Sequence, residues 1–203
     1  ILAAYINYGI SNSRGYFNTP GVLMANAVFH AWGGAHLALG EHMLSNEYFP
    51  NNNRTMNGEL KKAMMCYYDF ITAYENLLRD GGEWIGVDGI STDGKMSFNQ
   101  WPAIKGNVAT VGKKFDNKEV IHLLNYTDAI HLDWVDDNGD QPEPELIEDA
   151  EITLTVQGTP HKVWMASPDI DFGVAKSLDF VHLGNTIKIT LPSLKYWDMV
   201  VVE

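Results

Sequence analysis

Among 203 residues there is a single cysteine, Cys66. One thiol excludes an internal disulfide framework and any cysteine-based zinc centre. Cys66 lies among apolar residues at helical spacing, which assigns it to a small core position rather than to thiol chemistry. Long apolar runs are missing too; none approaches the ~20 residues that cross a bilayer. Cations are scarce, with 14 Lys and Arg against 26 Asp and Glu and a formal net charge of −12. Such a chain does not suit nucleic acid, whose phosphates call for a basic patch. It suits a neutral ligand. No glycine motif cradles a phosphate, and His36, Glu41 and His42 do not form the His-Glu-x-x-His spacing of a zinc site, so neither cofactor nor metal is expected. What remains is ordinary for a globular protein: 45% hydrophobic and 20% charged residues, enough for one large domain or two small ones.

The first eighty or so residues read as α/β. Residues 1–8 form an apolar run that fits a strand buried on both faces. A chain opening at Ile1 inside such a strand, with no leader pattern, reads as part of a longer protein. Thr19-Pro20 opens a helix that runs to about Trp32, with Thr19 as the cap and Pro20 in the first turn. Residues 35–40 read as a second strand. A long loop follows, then a helix over residues 56–79, with Leu60, Met64, Tyr67, Tyr68, Ile71, Tyr74 and Leu78 at three- and four-residue steps. Strand–helix–strand–helix is the unit of a parallel α/β fold.

The pattern changes at about residues 85–92. Short period-two strands are expected over residues 96–101, 108–115, 119–126, 151–156, 162–166, 178–182, 186–191 and 196–202, with Gly158, Gly184-Asn185 and Pro192 as turns. That argues for an antiparallel β-sandwich. Trp164 and Trp197 fall inside strand patterns and read as core, whereas Trp134 reads as exposed. The acidic run Asp133, Asp136, Asp137, Asp140 comes near a calcium loop, but the twelfth position from Asp133 is Pro144 instead of Glu. It reads as a solvated loop.

Several segments resemble glycoside hydrolase family 66, which holds endo-dextranases and cycloisomaltooligosaccharide glucanotransferases. They are Gly40-Glu41-His42-Met43-Leu44-Ser45-Asn46-Glu47-Tyr48-Phe49-Pro50, Tyr67-Tyr68-Asp69-Phe70, Ala73-Tyr74-Glu75-Asn76-Leu77-Leu78-Arg79-Asp80, His122-Leu123-Leu124-Asn125-Tyr126, Val163-Trp164-Met165-Ala166-Ser167-Pro168-Asp169 and the closing Leu191-Pro192-Ser193-Leu194-Lys195-Tyr196-Trp197-Asp198. The resemblance runs along nearly the whole chain. It implies the C-terminal part of a (β/α)8 barrel over residues 1–87, followed by an antiparallel Greek-key β-sandwich over residues 88–203. It also implies a retaining two-carboxylate mechanism on α-1,6-glucan, in a secreted, cell-surface or periplasmic bacterial enzyme.

No position matches the family's catalytic acids, which are expected upstream of Ile1. The partners implied are an α-glucan and the rest of the chain's own barrel. At the ends of barrel strands, sugar hydroxyls need hydrogen-bonding side chains and sugar rings need flat aromatic faces. Asn7, Glu41, His42 and Asn46 meet the first need; Tyr8 and Tyr48 meet the second. Glu41 leads this set as a substrate carboxylate. A cyclodextran-forming glucanotransferase and a non-catalytic carbohydrate-binding or structural piece are the rival readings.

Overall fold

Two asparagines start the two long helices. In this computed structural model, which describes residues 4–38, 40–43, 45–46 and 51–203, the Asn18 side chain accepts a hydrogen bond from the Gly21 N–H and begins helix α1 (Thr19–Ala31). Pro20 sits in the first turn, where its missing N–H costs nothing. The cap is therefore Asn18 and not Thr19. Thr19 instead meets Asn57 at 3.3 Å, and the Asn57 side chain accepts from the Leu60 N–H to cap helix α2 (Gly58–Ala73). A short helix α3 (Glu75–Leu78) follows α2. The single helix expected over residues 56–79 is divided at Tyr74, whose φ of −115° and ψ of 20° leave the helical region.

The two expected barrel strands differ from expectation where the structure describes them. Residues 4–8 form no strand: the Ile6 N–H bonds locally to Ala4 O and the Asn7 N–H bonds to Val135 O, so no ladder is laid down. Tyr8–Ile10 instead makes one 3-10 turn. Residues 35–38 also lack a ladder; the Ala38 N–H donates to the Tyr68 hydroxyl, and Gly40–His42 closes another 3-10 turn. Among the described residues, the parallel pairing of this half is a two-residue contact between β1 (Gly15–Tyr16) and β2 (Arg54–Thr55).

The remainder is mostly β. The strands are β3 (Glu83–Ile85), β4 (Gly89–Ser91), β5 (Phe98–Gln100), β6 (Val108–Lys114), β7 (Glu119–Asn125), β8 (Ile147–Thr155), β9 (Val163–Ala166), β10 (Lys176–Leu178), β11 (Phe180–Leu183), β12 (Thr186–Leu194) and β13 (Trp197–Val202). One sheet has the order β10-β9-β13-β7-β6-β3, with β5 adding parallel to β6; the other has the order β11-β12-β8-β4.

Alternation along β13 explains how the layers stack, since successive side chains point to opposite faces. Trp197, Met199 and Val201 join a core with Val22, Leu60, Tyr67 and Phe70 of the helices. Val200 and Val202 join a second core with Ile152, Leu154, Ile187 and Ile189 of the other sheet. Helices cover one face of the larger sheet, and the smaller sheet covers the other.

Two sequence expectations change here. The strand expected over 178–182 is divided: β10 pairs with β9 in one sheet and β11 with β12 in the other. Pro192, expected as a turn, lies inside β12 opposite Asp149. Asp149 takes a φ of 48° there, and the Lys95 ammonium donates to the Glu148 and Asp149 carbonyls. This local irregularity accommodates a residue that has no N–H for the ladder.

Candidate functional site

Asn7 sits at the start of the first loop with φ 57°, a left-handed conformation that asparagine tolerates. Its side chain is fully buried. Nδ2 donates to Asp136 O at 2.6 Å, and Oδ1 accepts from the Asn18 N–H at 2.9 Å. Tyr8 follows, 43% exposed, with its ring 6.0 Å from that of Tyr5. The turn carrying them is fixed by Arg54. This guanidinium donates to Ile10 O from Nε and Nη2, at 3.0 and 2.9 Å, and to Tyr16 O at 3.1 Å.

The second loop reaches the same place. His42 Nδ1 lies 3.0 Å from Arg54 O, so the proton is on Nδ1 and Nε2 is left as an acceptor. The Asn46 side chain is buried and donates to Ser11 Oγ at 3.1 Å. The Glu41 carbonyl accepts from the Met56 N–H at 2.7 Å, while its half-exposed carboxylate pairs with Lys61 of α2. Asn7, Tyr8, Glu41, His42 and Asn46 thus belong to one set of interlocked turns. Tyr48 lies outside the described residues, as does Glu47. Sequence reasoning passed over Arg54, Ser11 and Asn53, the residues that hold the turns together; Asn53 Nδ2 donates to Ser11 O at 3.2 Å. A lone arginine beside a polar run carries no sequence signal for such a role.

The chemistry open to this arrangement is hydrogen-bond acceptance by the Glu41 carboxylate and His42 Nε2. The hydrogen bond and charge of Lys61 hold the Glu41 carboxyl below its ordinary range. At neutral pH Glu41 is therefore an acceptor, whereas a general acid needs a raised pKa.

The acidic turn is part of the same neighbourhood and is not simply solvated. Asp136 is buried, at φ 44°, and its Oδ1 accepts from the Asp140 N–H at 3.0 Å and the Gln141 N–H at 3.3 Å. His131 Nε2 stands 3.2 Å from Asp136 Oδ1 and 3.1 Å from Asp140 Oδ1. These three residues could in principle hold a metal ion. However, the Asp133 N–H donates to His131 Nδ1 at 3.3 Å, which places the ring proton on Nε2 and favours a hydrogen-bonded cluster. Trp134 beside this turn is 50% exposed and meets Phe29 edge-on at 5.4 Å, whereas Trp197 is fully buried and Trp164 nearly so.

Buried ionisable groups lie between the helices and the larger sheet. Burial lowers His30 to about 4 and His122 to about 3, and raises Asp169 to about 6. Trp197 Nε1 donates to His122 Nδ1 at 3.1 Å. Asp198 is fully buried and raised well above the ordinary carboxyl range by burial. The neighbouring Ser167 hydroxyl donates to Trp197 O at 2.7 Å.

Helices packed on one face of a largely antiparallel sheet, with a second sheet on the other, define the class of fold. A family model described as glycosyl hydrolase family 66 matches residues 1–201. The chain belongs to glycoside hydrolase family 66. It is 32% identical over 207 residues to a cycloisomaltooligosaccharide glucanotransferase of Niallia circulans, a match covering 95% of this chain and 20% of that protein. It is 24% identical over 213 residues to a dextranase of Streptococcus salivarius, covering 89% and 25%. The crystal structure of a Paenibacillus sp. cycloisomaltooligosaccharide glucanotransferase complexed with cycloisomaltoheptaose superposes with a TM-score of 0.81 at 32% identity, over 92% of this chain and 27% of that chain. This chain therefore spans about a fifth to a quarter of the length of these relatives.

Proposed function

We propose that the chain is a portion of an endo-dextranase, an enzyme that cleaves internal α-1,6 links of glucans. The observation that carries this reading is the family match along residues 1–201, joined by relatives that act on such glucans. In the proposed architecture, α1 and α2 belong to the closing part of a (β/α)8 barrel, and the strands from β3 onward form a Greek-key β-sandwich beside it.

The chemistry is retaining. A carboxylate attacks the anomeric carbon, the bond from that carbon to O6 of the next sugar breaks, and a carboxylic acid gives its proton to the departing oxygen. Water then hydrolyses the glycosyl ester, with the second carboxyl acting as base. The two carboxyls stand about 5–5.5 Å apart in such enzymes. We assign neither to this chain; both belong to the part of the protein upstream of Ile1. Tyr8, Glu41, His42 and Tyr48 would contact the glucan. Asn7 and Asn46, whose amides are bonded within the fold, would hold the turns that present them. Dextran is too large to cross a membrane, which favours a secreted or cell-surface enzyme.

A second reading has specific support. The relative and the solved structure at 32% identity are both glucanotransferases. In that case a hydroxyl at the far end of the same chain replaces water and a cyclic product forms. Incubating the full-length protein with dextran and resolving the products tests both readings. Linear isomaltooligosaccharides support the hydrolase and cyclic ones the transferase. Untouched dextran overturns both and leaves a non-catalytic role.

A further inference from the structure

A cleft lies away from the interlocked turns in sequence. It has a volume of about 730 Å³ and opens between the end of α3 and the β6–β7 hairpin. That is within the size range of small-ligand sites, roughly 300–1,000 Å³. Asn76, Asp80, Glu83, Phe115, Asp116 and Asn117 are among its lining residues. The mixture is informative: one aromatic ring among carboxylates and side-chain amides.

The ring is backed by rigid structure. Lys113 is 4% exposed; its ammonium sits 5.3 Å from the Phe115 ring centre and 5.2 Å from that of Trp84, and donates to Leu78 O. Trp84 is the cross-strand partner of Lys113 and packs on Trp32 at 4.6 Å. Trp84 and Trp32 remain 46% and 38% exposed.

Charge narrows the ligand. The two lysines lining the cleft are already engaged: Lys114 donates to Gln157 Oε1 at 2.9 Å, and Lys118 pairs with Glu203 at 3.6 Å. An anion would meet Asp80, Glu83 and Asp116 with those cations engaged elsewhere. A neutral polyhydroxyl ligand fits instead, because carboxylates and amides bind hydroxyls and a flat ring accepts a sugar face.

We propose that this cleft is a saccharide-binding site, with Phe115 as the ring platform and Asp80, Glu83 and Asn117 as hydroxyl-binding groups. The choice of an α-1,6-linked glucan as its ligand rests on the function proposed above.

The test is hydrogen–deuterium exchange on the full-length protein with and without isomaltooligosaccharides, beside a separate dextran-turnover assay. Slowed exchange is expected in peptides covering residues 76–83 and 114–119. Asn117→Ala, at the exposed hairpin tip, and Phe115→Leu should each raise the ligand concentration giving half protection about three- to tenfold. Asn117→Ala keeps the test open should Phe115→Leu perturb folding. Unchanged exchange in those peptides while dextran is turned over overturns the cleft alone. Protection there without turnover supports the cleft and overturns the enzymatic reading. Protection equal in wild type and both variants also overturns the cleft.

Discussion

Tyr67 of α2 donates a 2.9 Å hydrogen bond to Asp169 Oδ1 from 102 residues away in sequence. The other oxygen, Oδ2, accepts from the N–H groups of Tyr196 and Trp197 at 3.1 and 2.9 Å. One carboxyl thus ties the helix layer to the start of the last strand. Tyr67→Phe keeps the ring and removes this donor. The expected cost is about 1–2 kcal/mol, read as a lower urea midpoint with an unchanged slope. An unmoved midpoint would mean that the bond contributes nothing.

The same carboxyl makes stability depend on pH. Burial raises Asp169 from an ordinary 3.8 to about 6. Because the folded state holds this proton more tightly, the contribution is full below 3.8 and is lost as pH rises through 6. His122 works in the opposite sense. Lowered from 6.5 to about 3 by burial, it favours the fold above 6.5, and that contribution is lost as pH falls through 3. The two slopes oppose each other between pH 4 and 6, so each must be isolated by a variant. Relative to Asp169→Asn, the wild type should lose stability from pH 4 to 6. Relative to His122→Gln, which keeps an acceptor for Trp197, it should gain stability from pH 4 to 6.5. Urea midpoints at four pH values check both signs.

Gly21→Ala reverses a familiar rule. In most helices the change stabilises by about 0.5–1 kcal/mol. Here a Cβ would lie 2.0 Å from Asp136 Oδ2 and 2.6 Å from Asp136 Cβ. The first turn of α1 and the acidic turn would have to move apart. We expect a loss of about 1–3 kcal/mol, measured by thermal or urea unfolding; a gain would show that the turn yields freely.

Much of this architecture is legible in the sequence, and the exceptions have physical causes. Strands β6, β7, β12 and β13 follow their alternation or continuous apolar runs closely, because burial on one or both faces imposes a pattern. β3 and β4 are three residues long, too short for a period to register. Asn18 and its neighbour Thr19 both suit a cap, and Asn18 takes the position. Residues 4–8 are apolar enough for a strand, but apolarity reports burial and not pairing; Ile6 is buried in a turn. Of the site, Asn7, Tyr8, Glu41, His42 and Asn46 are legible as polar and aromatic loop residues, and the structure brings them into one set of turns. Arg54, which binds the two loops together, is not legible, because its partners are backbone carbonyls that any residue supplies.

Glu41→Gln separates binding from folding. The carboxylate is half-exposed and paired only with Lys61 among the contacts described, so the urea midpoint should stay where it is. In the full-length protein, loss of a charged acceptor to a substrate hydroxyl should lower kcat/KM on dextran about tenfold. Equal efficiency would place Glu41 away from the glucan.

The most direct test of the account follows the anomeric protons of dextran by NMR as the full-length protein acts on it. The account predicts loss of internal α-1,6 signal, with any new reducing ends appearing first as the α-anomer. Reducing ends appearing first as the β-anomer, or an α-1,6 signal that stays intact with neither linear nor cyclic products, would contradict it.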